Sequence, residues 1–208
     1  DAMAKQVLSK HGKIDVLLNN AGVFAAPYEQ ERTEEGLDIR FAVNTLAPYI
    51  LTKRLLPIIP EHGGRVINLS SAAQSPVNLA AMRGMGGRMQ GFQAYGQSKL
   101  GITMWSHAMA QQCPQIFVAV NPASMIGTKM VKEGFGVANG KSLSVGADIL
   151  TEAAVGSKFG KKSVSGKYFN NDIGHFDEPH SDASNPKKNK ELIAAMDEIL
   201  AGLGIELN

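Results

Sequence analysis

Apolar residues fall along this chain in two rhythms. Three short, nearly continuous runs rich in Val, Ile and Leu (residues 14–18, 65–69 and 116–120) end in Asn, Ser or Pro. They predict buried strands. Between them lie longer segments with helical spacing. The first ends at Gly12. The next runs over residues 33–59, with Glu34 and Glu35 in its first turn, where the helix dipole favours carboxylates. A third covers residues 95–112 and is closed by Pro114, and a fourth lies around residues 146–159. A terminal helix is expected over residues 187–200 and a short last strand over 167–169. Residues 72–94, rich in Gly and Met, read as irregular.

Buried runs that alternate with helices predict a parallel sheet covered on both faces, an α/β, doubly wound, three-layer Rossmann-like fold. Right-handed crossovers place successive strands side by side. Ligands in such sheets sit beyond the carboxyl ends of the strands. Asn19-Asn20-Ala21-Gly22, Ser70-Ser71 and Asn121-Pro122 lie at those ends, so a site is expected where they converge. Residues 1–208 read as one domain. The chain starts within an amphipathic helical pattern at Asp1, so the front of the fold is expected to lie upstream.

Bulk composition narrows the partners. A net charge of +2, from 21 basic and 19 acidic residues, leaves no excess for a polyanion, and Lys187-Lys188-Asn189-Lys190 is too short for a nucleic-acid stripe. No apolar stretch is long enough for a membrane-spanning helix. The single cysteine, Cys113, is expected to be structural, in a reducing, cytoplasmic setting. His11, His62, His107, His175 and His180 have no ligand spacing, and no metal is expected.

The candidate chemistry starts at Tyr95 and Lys99, four residues apart and so on one face of a helix. An ammonium near a phenol stabilises the phenolate and is expected to lower the phenol pKa, giving a proton donor and acceptor suited to carbonyl–alcohol chemistry. Upstream, Pro48 has no N–H to offer the carbonyl of Asn44, which is expected to be freed in a helix interior.

Strand–Asn-Asn-Ala-Gly, strand–Ser-Ser, Tyr-x-x-x-Lys and a strand ending in Asn-Pro, in that order, resemble the short-chain dehydrogenase/reductase family over nearly the whole chain. The resemblance implies an NAD(P)-dependent oxidoreductase that interconverts a carbonyl and an alcohol. It implies that Tyr95 is the acid/base and that Lys99 lowers its pKa and binds the nicotinamide ribose. Ser71, with Ser70 as the fallback, would bond the substrate carbonyl. Asn44 would hold a water that links to Lys99. Asn20, Ala21 and Gly22 match the turn beside the adenosine half of the cofactor. Pro122, Met125, Ile126 and Thr128 match the segment beside the nicotinamide, with either Met125 or Ile126 as the carboxamide neighbour. Ala123 stands where the family usually has glycine.

Two departures from the family pattern matter. The gap from Ser71 to Tyr95 is long, filled by residues 80–89, as in retinol-dehydrogenase-like and protochlorophyllide-reductase-like members; this implies a bulky apolar small-molecule substrate. The family's phosphate-cradling glycine motif and the residue that selects NAD or NADP do not occur in the 208 residues, so the cofactor is expected to be either. Homodimers or homotetramers follow by analogy. The alternative reading is a non-catalytic protein of this fold or an inactive fragment.

Overall fold

The computed structural model describes residues 2–24, 31–87 and 89–207. Asp1, read above as part of a helical pattern, and Arg88, within the Gly- and Met-rich stretch, lie outside them. Among the described residues five strands form one sheet: β1 (Val16–Asn19), β2 (Arg65–Leu69), β3 (Ile116–Asn121), β4 (Tyr168–Asn170) and β5 (His175–Asp177), in the spatial order β1-β2-β3-β4-β5. The first four are parallel, with Asn19 opposite Asn68, Leu69 opposite Val120 and Val120 opposite Phe169. The side-by-side order expected from right-handed crossovers is what the register shows. β5 turns back antiparallel to β4, which makes the sheet mixed rather than wholly parallel.

The sheet separates two apolar cores because side chains alternate faces along a strand. Leu17, Val66 and Phe117 meet Phe41, Tyr49, Leu100, Trp105 and Met196 on one face. Ile67, Val118, Val120 and Phe169 meet Ala153 and Phe159 on the other. The helices supplying the first face are α1 (Ala2–Lys10), α2 (Ile39–Phe41), α3 (Ala47–Leu55), α5 (Gly91–Gln112) and α8 (Pro186–Gly202); a short α4 (Leu79–Met82) lies in the insertion. α6 (Lys129–Phe135) and α7 (Leu143–Val155) follow β3.

The helix expected from Thr33 begins later. Gly36 closes a turn on the Thr33 carbonyl at 2.9 Å with φ +83°, a conformation only glycine adopts freely. Asp38 then caps the helix by accepting from the Arg40 N–H at 2.8 Å, so Glu34 and Glu35 lie in the turn rather than in the first helical turn. Between α2 and α3 the chain winds as a π-helix over Ala42–Leu46, with the Ala47 N–H reaching Ala42 O. Widening the turn just before Pro48 accommodates a ring with no N–H. α6 falls between β3 and the helix expected around residues 146–159, where no helix was expected. Thr128 caps it through the Val131 N–H at 3.3 Å, and Gly136 ends it in the left-handed conformation.

Candidate active site

The carboxyl ends of β1, β2 and β3 open into a cavity of about 530 Å³. Asn20, Gly22, Ser70, Ser71, Tyr95, Lys99, Pro122, Met125, Ile126 and Thr128 all line it. Ala21 is off its wall, and Asn44 lies one layer behind. The structure therefore brings together residues from four separate stretches of sequence.

Lys99 is 4% exposed. Its Nζ lies 5.7 Å from the centre of the Tyr95 ring and donates to the Leu69 carbonyl at 2.8 Å. Burial, with no acidic neighbour among the described residues, pushes its pKa down to about 8. Burial also pushes the Tyr95 phenol up, against the nearby Ser71 hydroxyl, which favours the phenolate. This corrects the expectation that Lys99 lowers the phenol. In this arrangement the ammonium is turned to a backbone carbonyl, and desolvation penalises both charged forms.

The two serines divide. Ser70 Oγ is 2.6 Å from Thr103 Oγ1 and 3.2 Å from the Lys99 carbonyl, so it ties β2 to α5. Ser71 is half-buried, its Oγ accepts from the Ala73 N–H at 3.1 Å, and it lies near the Tyr95 phenol on the cavity wall. The Tyr168 phenol holds its carbonyl at 3.1 Å.

Asn44 is 1% exposed. Its Oδ1 accepts from the Val23 N–H and its Nδ2 donates to the Val23 carbonyl, both at 2.8 Å; Nδ2 also reaches Ser98 Oγ at 2.9 Å. Ser98 in turn donates to the Tyr95 carbonyl at 2.7 Å. A Cβ added at Gly22 would meet Asn44 Oδ1 at 3.2 Å and Lys99 Nζ at 3.4 Å. Glycine there lets backbone pass directly over both groups.

Three features were missed by sequence reasoning. Ser98, inside the Tyr-x-x-x-Lys spacing, links Asn44 to the helix. An aromatic group borders the phenol: Phe24 stacks on Phe135 at 4.3 Å, edges Tyr95 at 5.0 Å and lies 6.4 Å from Phe92, which is 55% exposed. Arg40, 1% exposed, backs this group by donating to the Phe24 carbonyl at 3.4 Å, its charge matched by Asp38 and Glu31. The third is Asp172, which holds the segment after β3.

A model of the short chain dehydrogenase family matches residues 1–135. The chain belongs to the short-chain dehydrogenase/reductase family. Within that family, dehydrogenase/reductase SDR family member 12 of Homo sapiens is 33% identical over 166 residues, 76% of this chain and 51% of the relative. Retinol dehydrogenase 12 of Mus musculus is 34% identical over 114 residues, 53% of this chain and 35% of the relative. The chain thus spans about half the length of the first and less of the second. Among solved structures, an uncharacterised protein from Mycobacterium paratuberculosis aligns with a TM-score of 0.73 at 20% identity, covering 100% of this chain and 73% of that one. A short-chain dehydrogenase from Burkholderia cenocepacia, in complex with NADP, gives 0.57 at 20% identity over 81% of this chain and 68% of that one. Both share the family's α/β fold. Among the described residues no helix is long and apolar enough to cross a membrane, and no group of three or more His, Cys, Asp or Glu could hold a metal ion.

Proposed function

We propose that this chain carries the acid/base half of an NAD(P)-dependent oxidoreductase that interconverts a carbonyl and an alcohol. The observation that supports it best is the pairing of the Tyr95 and Ser71 hydroxyls on one cavity wall, with the Lys99 ammonium buried beside them. A module that only binds ligand has no use for two hydroxyls and an unpaired buried lysine at one point.

The residues present fit the nicotinamide–ribose half of a dinucleotide. Gly22 leaves a gap a side chain would fill, and Lys99 has hydrogens to donate beyond the one that Leu69 takes. Lys99 and Tyr95 would hold the ribose, and Met125 or Ile126, with Thr128, would flank the carboxamide. Asn20, Ala21 and Gly22 would line the approach from the adenosine side. When bound, such a cofactor supplies or accepts the hydride. In the reducing direction Ser71 donates to the carbonyl oxygen, and Tyr95 gives that oxygen its proton. Held above its ordinary value, Tyr95 keeps its proton at neutral pH, as an acid must. A water on the Asn44 carbonyl that returns the proton through Lys99 is part of the same proposal, since the Asn44 side chain is already occupied by Val23 and Ser98. Phe92, Phe135 and Met130 on the cavity wall favour an apolar carbonyl compound. A homodimer or homotetramer is carried over by family analogy, and a cytoplasmic setting from the single cysteine, Cys113.

Tyr95→Phe removes only the hydroxyl. Turnover of a carbonyl panel, followed by nicotinamide absorbance, is expected to fall by about 10²–10⁴-fold, with the circular dichroism melt unchanged. Near-normal turnover would remove Tyr95 from this role.

A further inference from the structure

β4 runs into three consecutive polar residues, Asn170, Asn171 and Asp172; Asn170 bonds the end of β3, and Asn171 and Asp172 also bond the segment 122–128 that borders the cavity. The Asn171 Nδ2 donates to the Pro122 carbonyl at 2.9 Å, and the Asn171 N–H to the Asn121 carbonyl at 3.0 Å. Asn170 Oδ1 accepts from Asn121 Nδ2 at 2.9 Å. The Asp172 carboxylate gathers the most donors. It accepts from the Ser124 N–H at 2.9 and 3.0 Å, Ser124 Oγ at 2.6 Å, Asn121 Nδ2 at 2.9 Å and Lys141 Nζ at 2.7 Å.

The held segment is strained. Ala123 has φ +119° and Met125 φ +58°, conformations that L side chains rarely adopt. Such backbone persists only where its surroundings over-determine it. Asp172 grips the residue between the two strained ones. Lys141, which completes the charge pair, also holds the far side: its N–H donates to the Met125 carbonyl at 2.7 Å and its carbonyl accepts from the Gly127 N–H at 2.8 Å. Partial burial opposes ionisation of Asp172, but Lys141, Ser124 and Asn121 outweigh it and keep the carboxyl well below the usual carboxylate range. The Asp172 carboxylate therefore stays charged throughout the physiological pH range.

We infer that Asp172 is a positioning residue: it locks the segment 122–128 in its strained form and so fixes Met125, Ile126 and Thr128 against the cavity, together with the start of α6. Its effect on cofactor rests on the function proposed above; its effect on the segment does not. Nothing near Asp172 in sequence marks this role, since Ser124 and Lys141 lie 48 and 31 positions away.

Two measurements on the full chain separate these layers. Hydrogen exchange by mass spectrometry, without cofactor, is expected to be about tenfold faster over residues 122–128 in Asp172→Asn, with β2 and β3 unchanged. Ser124→Ala, which removes one bond, is expected to give a smaller rise in the same segment. Adding Ala123→Gly to Asp172→Asn relieves the strain that the clamp opposes, and protection is expected to return in part. In wild type, NADPH or NADH binding read by fluorescence is expected to be about tenfold tighter than in Asp172→Asn; where turnover is measurable, the cofactor KM is expected to rise more than kcat falls. Unchanged exchange over residues 122–128 in Asp172→Asn, or faster exchange spread evenly over the sheet, would overturn the inference. Absence of dinucleotide binding by wild type would count against the proposed function alone, because the exchange comparison still decides the clamp.

Discussion

Ala123 shows most directly what one residue costs in this site. It holds a φ of +119° without glycine's freedom. Relief of that strain exceeds the extra chain entropy that glycine brings to the unfolded state. Ala123→Gly is expected to stabilise the fold by about 1 kcal/mol, read as a higher urea midpoint; a lower midpoint would show that the backbone is comfortable as it is. Tyr95, Lys99, Ser71 and Asn44 could be picked out as candidates in the sequence because each sits in a short local pattern. Their electrostatics could not. The phenol's raised pKa follows from burial, and periodicity gives no measure of how deeply a helix face is covered. Nor was Asp172 legible, because its donors come from other segments.

At the scale of elements, the decisive joint is between α5 and the π-helical turn. Thr45 Oγ1 donates to the Ser98 carbonyl at 2.9 Å, and a Cβ on Gly101 would come within 2.9 Å of Thr45 Cγ2. The two elements meet through a glycine with no room to spare. Gly101→Leu is expected to destabilise the fold by about 1–3 kcal/mol through overpacking and to lower turnover by moving Lys99 away from Gly22. Thermal melting combined with turnover tests this, and a fully active variant of unchanged stability would exclude it. Most strands and helices could be read from hydrophobic rhythm. β5 could not, because His175-Phe176-Asp177 is too short to show a period and owes its existence to pairing with β4. α6 was hidden by Gly134 and Gly136, although Thr128 was a readable cap. The misplaced start near Thr33 came from counting two glutamates as first-turn residues when Gly36 breaks the chain beyond them.

Across the whole molecule, the site draws on folding stability. Lys99 titrates near 8 when folded and near 10.5 when free. Between those values the unfolded chain binds more protons than the native one, so stability rises with pH through that window. The full effect is on the order of 3 kcal/mol, from about 1.4 kcal/mol per pKa unit, and the penalty is present in full below pH 8. Denaturant midpoints measured from pH 7 to 10 are expected to climb in wild type and to stay level in Lys99→Met; parallel profiles would refute a buried charge at this position. The α/β class and the strand order were legible because connection handedness leaves few arrangements. The antiparallel closure was not.

The register of the sheet also dictates when during folding the protein gains a function. Gly22, Ser71, Tyr95 and Pro122 meet only after β1, β2 and β3 have found one another across long intervening stretches of chain. Such distant pairings form slowly compared with local helices. On refolding, α5 should regain its helical signal early while its tyrosine and lysine still have no cavity to face, and ligand capture should return only with the slowest phase.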